Sequence, residues 1–368
     1  MITYCTNIHP GESWEATFHH LRENIPVIRT AVSPQDRFPI GLRLSNRATL
    51  EVDERASREF MEWLEVNRAF VPTLNGFPYG TFHGPPLKEA VYLPDWRDME
   101  RMEYTNRLAT LLDRWLPDDE AGSISTLPVA LTRHLDREDV SLVGRHLRRS
   151  LEHLDQLRQG SGKKILLCLE PEPGCFLATT EDAADLIDRL DYPDSMRQMI
   201  GVCFDCCHEA VEFQEPGISI QRLMERGIAV GKVQVSSALR LTDPDESALA
   251  PFSEPCYLHQ TVIRNREGVV QRYRDLPDAL RAHSGKPGDE WRVHFHLPIF
   301  WGGDAGVGTT ASFITELLPF IEDDMLLEIE TYTWEVLPPE LKTATMAESI
   351  IREIVWLKGE LRAAHRRP

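Results

Sequence analysis

Residues 165–174 and 201–208 read ILLCLEPEPG and GVCFDCCH, two short apolar runs that each close on acidic residues. If both are buried parallel strands, the period-2 alternation sets Cys168 and Glu170 on one face of the first, and Cys203 and Asp205 on one face of the second. Leu167, Leu169, Val202 and Phe204 then face the other way. A strand whose outer face packs on helices and whose inner face ends in a carboxylate is the repeating unit of a (β/α)8 TIM barrel, where catalytic groups stand at the C-terminal strand ends. Two further runs repeat the pattern: residues 230–237 (VGKVQVSS) end inward at Gln234, and residues 325–332 (MLLEIETY) end inward at Glu330. Four oxygen donors from four strands around one axis make a site for a divalent cation.

The 368 residues suffice for one such barrel with insertions or for two ordinary domains. Strands alternate with helical segments throughout and no linker interrupts them, which argues for a single α/β domain over residues 1–368. With 58 acidic against 40 basic residues the formal charge is -18, and such a surface repels a phosphate backbone, so no nucleic-acid partner is expected. The short basic tail at residues 362–368 reads as a solvated helix end. No apolar run approaches the roughly 20 residues that span a bilayer, and the first residues carry neither a basic nor an apolar leader segment. Seven cysteines without framework spacing fit a reducing, cytoplasmic setting. Cys203 and Cys206 stand in C-x-x-C spacing but lack a second pair of soft ligands, and Cys203 reads as a small barrel filler.

Taken in order, residues 2–7 form a first strand followed by a loop with His9, Glu12 and Trp14. That loop lies on the catalytic face, with His9 and Trp14 as substrate contacts, or is a Pro-Gly turn leading into a helix at residues 14–30; the residues alone leave both open. Strands follow at residues 39–45, from residue 69, and at 123–128, with helices at 53–68, 98–116 and 136–159. The stretch 75–96, rich in proline and aromatics and without periodicity, reads as a lid loop or substrate wall. After the seventh strand an irregular insertion, residues 238–290, contains a hairpin turning at Asn265 to Gly268. WRVHFHLPIF is then one strand more than eight require. The last helix opens on the box Thr345-x-x-Glu348.

Glu170, Asp205 and Glu330 are the strongest chemical constellation. Three carboxylates ending three apolar strands repel one another unless a cation sits among them, and burying them uncompensated costs several kcal/mol apiece. Parity also sets Lys232 one inward position below Gln234, and Glu328 one below Glu330, so the two should meet as a buried ion pair; the alternative turns Lys232 upward as a cationic substrate contact. The Gly-rich run at residues 302–308 lacks the Lys-Ser/Thr ending of a phosphate loop and reads as a flexible substrate loop.

LEPE, CFDCCH and EIET, in that order and at those separations, resemble the metal-binding strand ends of the xylose-isomerase-like TIM barrels, a superfamily of sugar isomerases, epimerases, inosose dehydratases and endonucleases of the AP-endonuclease-2-like type. The resemblance implies a divalent metal (Mn, Mg, Zn or Co) on Glu170, Asp205 and Glu330. It also implies His208 as a substrate-contacting catalytic residue, and Glu170 and Glu330 as acid/base partners. Where the superfamily has a fourth, histidine ligand, this chain has Gln234, a neutral oxygen donor that shifts preference from Zn toward Mg or Mn. His294 and His296 alternate on one face of the extra strand; His296 could supply the missing ligand and His294 a substrate contact, or both could simply be satisfied within a buried strand. More narrowly, YCTNIHPGESW, KVQVSSAL, HFHLPIF and LEIETYTWEVLP resemble the EboE-type metabolite-traffic proteins. That implies either an enzyme acting on a sugar- or cyclitol-type intermediate of a secondary-metabolite pathway or a non-catalytic carrier on the same barrel. A small polyhydroxylated substrate is the partner expected; homo-oligomers and contacts with pathway proteins stay open. An endonuclease would need a basic groove, which the acidic charge opposes.

Overall fold

Each of the eight apolar runs becomes a strand of one parallel sheet. The computed structural model describes residues 1–365 apart from 85, 243–245, 283–287, 305 and 343, so the end of the basic tail and one residue of the Gly-rich run lie outside the described residues. The barrel strands are β1 (Ile2–Tyr4), β2 (Phe38–Arg43), β3 (Ala69–Asn75), β4 (Gly122–Thr126), β5 (Ile165–Leu169), β6 (Ile200–Asp205) and β7 (Ala229–Val235). Five strands of an insertion follow: β8 (Ser237–Thr242), β9 (Thr261–Arg264), β10 (Val270–Tyr273), β11 (Glu290–Leu297) and β12 (Val307–Thr309). The last barrel strand is β13 (Leu327–Ile329).

Neighbours in the barrel run β1-β13-β7-β6-β5-β4-β3-β2. Its seam is closed by a parallel bridge between Cys5 and Gly41 and by Thr3, whose hydroxyl donates to the Pro39 carbonyl at 2.6 Å and accepts from Gly41 N–H at 3.2 Å. Strands buried on both faces explain the near-continuous apolar runs, since helices cover the outside and side chains fill the inside. The helices begin where polar caps permit. Ser13 accepts from Ala16 N–H at the start of Trp14–Val32, and Thr179 with Asp182 and Thr345 with Glu348 form reciprocal boxes. Gly162, left-handed at φ 81°, ends the long helix Arg137–Ser161, while Gly160 lies inside that helix rather than ending it.

Inside the barrel, the predicted pair forms: Lys232 and Glu328 are bonded to one another, both fully buried. Room for it comes from Gly41, where any Cβ would overlap the Glu328 carboxylate. Parity along a strand thus decides a charge pair 96 residues apart.

The insertion is larger than the sequence suggests. Its antiparallel sheet, ordered β10-β9-β11-β8-β12, runs from Ser237 to Thr309, past the expected end at residue 290. The hairpin β9–β10 turns at Asn265–Gly268 as expected, with Gly268 at φ 81°. The surplus run WRVHFHLPIF is β11, paired between β8 and β9 and not part of the barrel. Barrel strand β7 passes into β8 across Ser236 alone, which anchors this sheet over the barrel mouth.

Candidate metal centre and cavity

At the C-terminal mouth, one carboxylate oxygen from each of Glu170, Asp205 and Glu330 lies within 4.8 Å of the other two. All three residues are buried. Asp205 Oδ1 accepts from the Ser236 hydroxyl at 2.7 Å and from His208 N–H at 3.0 Å. Glu330 Oε1 accepts from the amides of Asn7 at 2.7 Å and Asn75 at 3.1 Å. Glu170 Oε2 and Asp205 Oδ2 have no hydrogen-bond partner among the described residues. Neither does Gln234, which stands beside Asp205 in the β6–β7 register with both side-chain polar atoms buried and unmatched. Unmatched buried polar atoms are rare and costly, and two of these belong to carboxylates that gather within 4.8 Å of one another. An oxygen-liganded divalent cation fits this donor set.

The electrostatics agree. Burial first, and then the neighbouring carboxylates, push the Glu170 and Glu330 carboxyls well above the usual range. Burial alone would raise Asp205 too, but the imidazoles of His208 and His296 and the Ser236 hydroxyl outweigh it and hold that carboxyl low. The trio therefore shares its charge unevenly, as like charges at close range must.

A second group adjoins the first. His208, in the first turn of the helix Cys206–Val211, and His294 and His296, two apart on β11, bring their Nε2 atoms together: His294 Nε2 is 3.1 Å from that of His208 and 3.1 Å from that of His296. Burial lowers all three below the ordinary imidazole value, His296 to about 4. Phe295, between the two β11 histidines, faces away against Phe252 and the His259 ring. His296 meets the carboxylate trio through Asp205, with which it and His208 form a separate close group.

Over both groups lies a narrow cavity of about 50 Å³. Glu170, Glu330, His208 and His294 line it, and the stretch 75–96 supplies Phe77, Phe82 and Tyr92 as wall. That stretch is strapped to the insertion, because Leu87 and Lys88 N–H donate to the Cys256 carbonyl and Lys88 Nζ pairs with Asp275 at 2.8 Å.

Three sequence-derived substrate contacts lie elsewhere. Trp14 is the first residue of its helix and packs in an aromatic cluster with Phe18, Phe60 and Trp115, ring centroids 5.2–5.9 Å away. His9 is 3.0 Å from the Tyr4 hydroxyl and stacks on His20, beside a separate recess. Lys232 spends its charge on Glu328 below the mouth and does not reach the cavity. Asn7 in the loop after β1 does reach the cavity, and past it the chain enters a helix that Ser13 caps and whose first apolar residue, Trp14, is buried.

Several site residues escaped the sequence reading. Asn75 ends β3 at an inward position and was accessible to the parity rule used for Glu170. Glu172 is two residues past Glu170, and its Oε1 accepts from the Tyr92 hydroxyl and, at 3.0 Å, from the Gln260 amide. Gln260 and Tyr332 carry no local signal; only the folded insertion and the final loop bring them in.

No family model matches the chain, and no curated protein matches it by sequence. Among solved structures, it is similar over 99% of its length to a xylose isomerase-like TIM barrel protein from Mycobacterium smegmatis in complex with magnesium, at TM-score 0.56 and 11% identity over 97% of that chain. It is similar to L-ribulose 3-epimerase at TM-score 0.54 and 12% identity, over 99% of this chain and 95% of that one. A third likeness is to the IOLI protein with a bound zinc atom, at TM-score 0.51 and 12% identity, covering 100% of this chain and 99% of that one. At such identities the likeness establishes the fold alone, a TIM barrel. No helix among the described residues is long and apolar enough to cross a membrane.

Proposed function

We propose that this protein is a divalent-metal-dependent isomerase, epimerase or dehydratase of a polyhydroxylated small molecule, a sugar- or cyclitol-type intermediate of a secondary-metabolite pathway as the EboE-type resemblance implies. The observation that carries the reading is the close approach of the buried carboxylates of Glu170, Asp205 and Glu330 beside a cavity that Glu170 and Glu330 line, in a barrel whose structural neighbours include a sugar epimerase and metal-bound proteins. Glu170, Asp205, Glu330 and Gln234 would hold the ion, and their all-oxygen character favours Mn or Mg over Zn.

A cation bound there supplies Lewis acidity to adjacent hydroxyl and carbonyl oxygens of the substrate. Glu170 and Glu330 both reach the cavity, and either can take a proton from one substrate carbon and return it to the next. Asn7 and Asn75 fix the Glu330 carboxylate in place, and Phe77, Phe82 and Tyr332 exclude water from the slit. His208 and His294 stand along the wall where the far end of the substrate would lie.

Metal analysis of the purified protein, followed by turnover assays on ketose and inosose phosphates, tests the reading. Glu170→Gln and Glu330→Gln are expected to lose the ion and to lower kcat by about 10³-fold or more, the scale of a general acid or base with its metal. Full occupancy with no turnover of any polyol would instead favour the carrier, the alternative suggested by Gln234 in the place of a histidine ligand.

A further inference from the structure

Where the inserted sheet meets the loops after β4 and β5 lies a second hollow, of about 290 Å³. Arg133 comes to it from the loop after β4, Gly174 from the loop after β5, and Arg272 and Arg274 from the end of β10. Glu212, directly after the helix Cys206–Val211, and Gln260, directly before β9, line it from the buried side. The Gln260 amide donates to the Tyr92 hydroxyl at 2.7 Å and to Glu172 Oε1 at 3.0 Å, and its oxygen is 2.8 Å from His294 Nδ1. Held in this way, Gln260 keeps the hollow apart from the cavity that Glu172 and His294 line.

The hollow is basic on a chain whose net charge is -18. Arg272 spends Nε and Nη2 on one oxygen of the buried Glu212 carboxylate, at 2.7 and 2.6 Å. The other oxygen, Oε1, is buried and has no hydrogen-bond partner among the described residues; Arg133 Nη1, 3.9 Å away, is too far to donate to it. Arg133 has no nearer ion pair among the described residues, and its guanidinium fork is left for something else. Arg274 pairs with Glu89, both side chains more than half exposed, a contact of little energy that a better acceptor can replace. Further positive charge stands behind these three. Arg272 and Arg292 both oppose Val262 and so share a sheet face, on which Arg240, Arg264 and Arg292 are all bonded to the one carboxylate of Glu290. Arginines thus outnumber carboxylates among the described ion pairs of this face.

We propose that this hollow binds the phosphate group of a small phosphate ester, with Arg133 and Arg272 as its main donors and Arg274 at the rim. Forked guanidinium groups match the oxygens of a phosphate, and its three terminal oxygens can serve three arginines where a carboxylate offers two. A concave hollow of this size suits a small ligand, whereas an acidic protein surface would need a broad, open face. Because Gln260 stands between hollow and cavity, the ester is a molecule separate from the one in the cavity. The site goes beyond the functional reading above and does not depend on it.

Isothermal titration of the full-length, chelator-stripped protein with ribose 5-phosphate, inorganic phosphate and ribose tests this. Neither metal nor turnover enters the measurement, so its outcome is independent of the metal centre. Both phosphates are expected to bind and ribose is not. Arg133→Ala should weaken ribose 5-phosphate by about tenfold or more, the scale of one charge-assisted hydrogen bond, and Arg274→Ala by about threefold. Arg272 is left in place, because its loss would bury Glu212 without its partner. Arg58→Ala, in a different hollow lined by Arg37 and Arg68, should change nothing. The proposal is overturned if the wild type binds neither phosphate, or if binding is unaltered in folded Arg133→Ala and Arg274→Ala proteins. It is equally overturned if Arg58→Ala weakens binding as much as Arg133→Ala does, or if the wild type takes a poly-glutamate peptide and no phosphate.

Discussion

Two tiers of the same barrel, one inward position apart, treat buried carboxylates in opposite ways. In the lower tier Glu328 is given a cation by the chain itself, Lys232 on the adjacent strand. In the upper tier Glu170, Asp205 and Glu330 stand together with no lysine or arginine bonded to them among the described residues, and two of them keep an oxygen without a hydrogen-bond partner there. Burial alone would lower the pKa of the Lys232 ammonium; Glu328 beside it outweighs that and holds the group charged. The difference teaches what each tier is for. A charge compensated from within supports the wall, whereas charges left uncompensated at a cavity floor await something from outside.

The sharpest way to break this contrast is to remove the internal cation. Lys232→Met leaves Glu328 buried and alone and should cost about 3–5 kcal/mol of stability in urea unfolding. In metal-free protein Glu170→Gln, by contrast, removes a carboxyl whose ionisation burial and Asp205 already oppose, and should be neutral or stabilising. Equal destabilisation by both changes would erase the distinction between tiers.

A third buried carboxylate sharpens it. Glu353 on the last helix has neither a lysine nor an acidic cluster; its Oε1 accepts from the Thr331 hydroxyl at 2.7 Å and from Ile299 N–H at 3.2 Å, and burial raises its carboxyl to about 7. The folded chain thus keeps a proton that the unfolded chain, with an ordinary carboxyl, gives up above about pH 4.5. That contribution is complete below the ordinary value and is lost as pH rises through about 7. Glu353→Gln should therefore raise stability at pH 8 by about 2–3 kcal/mol and change little at pH 4, measured as the difference in urea midpoints. A gain that is the same at both pH values would show that no proton is held there.

The smallest expected effect concerns ion choice. Gln234→His replaces an unmatched amide with a nitrogen ligand beside Asp205 and should shift the upper tier toward Zn or Co over Mn by about tenfold, read by competitive dialysis. An unaltered preference would place Gln234 outside the ligand sphere.

Much of the site was legible before any folding was considered. Glu170, Asp205, Gln234, Glu330 and the Lys232–Glu328 pair all follow from alternation along apolar strands, since the face a strand residue occupies is settled by its own backbone geometry. Asn75 obeys the same rule and could have been read the same way. His9 and Trp14 misled because a loop's direction depends on where its next helix buries its first aromatic, and Trp14 found Phe60 and Trp115, which are distant in sequence.

The chain by itself determined that eight strands would close into a barrel, three of them with acidic inward ends, because that depends on local periodicity repeated along the sequence. Only the tertiary structure decided that β11 leaves the barrel, lies in an inserted antiparallel sheet and carries His294 and His296 over the mouth to meet His208. Alternation shows that two histidines share a face, but which surface that face covers depends on how separate sheets pack, and packing depends on contacts no single stretch of sequence contains.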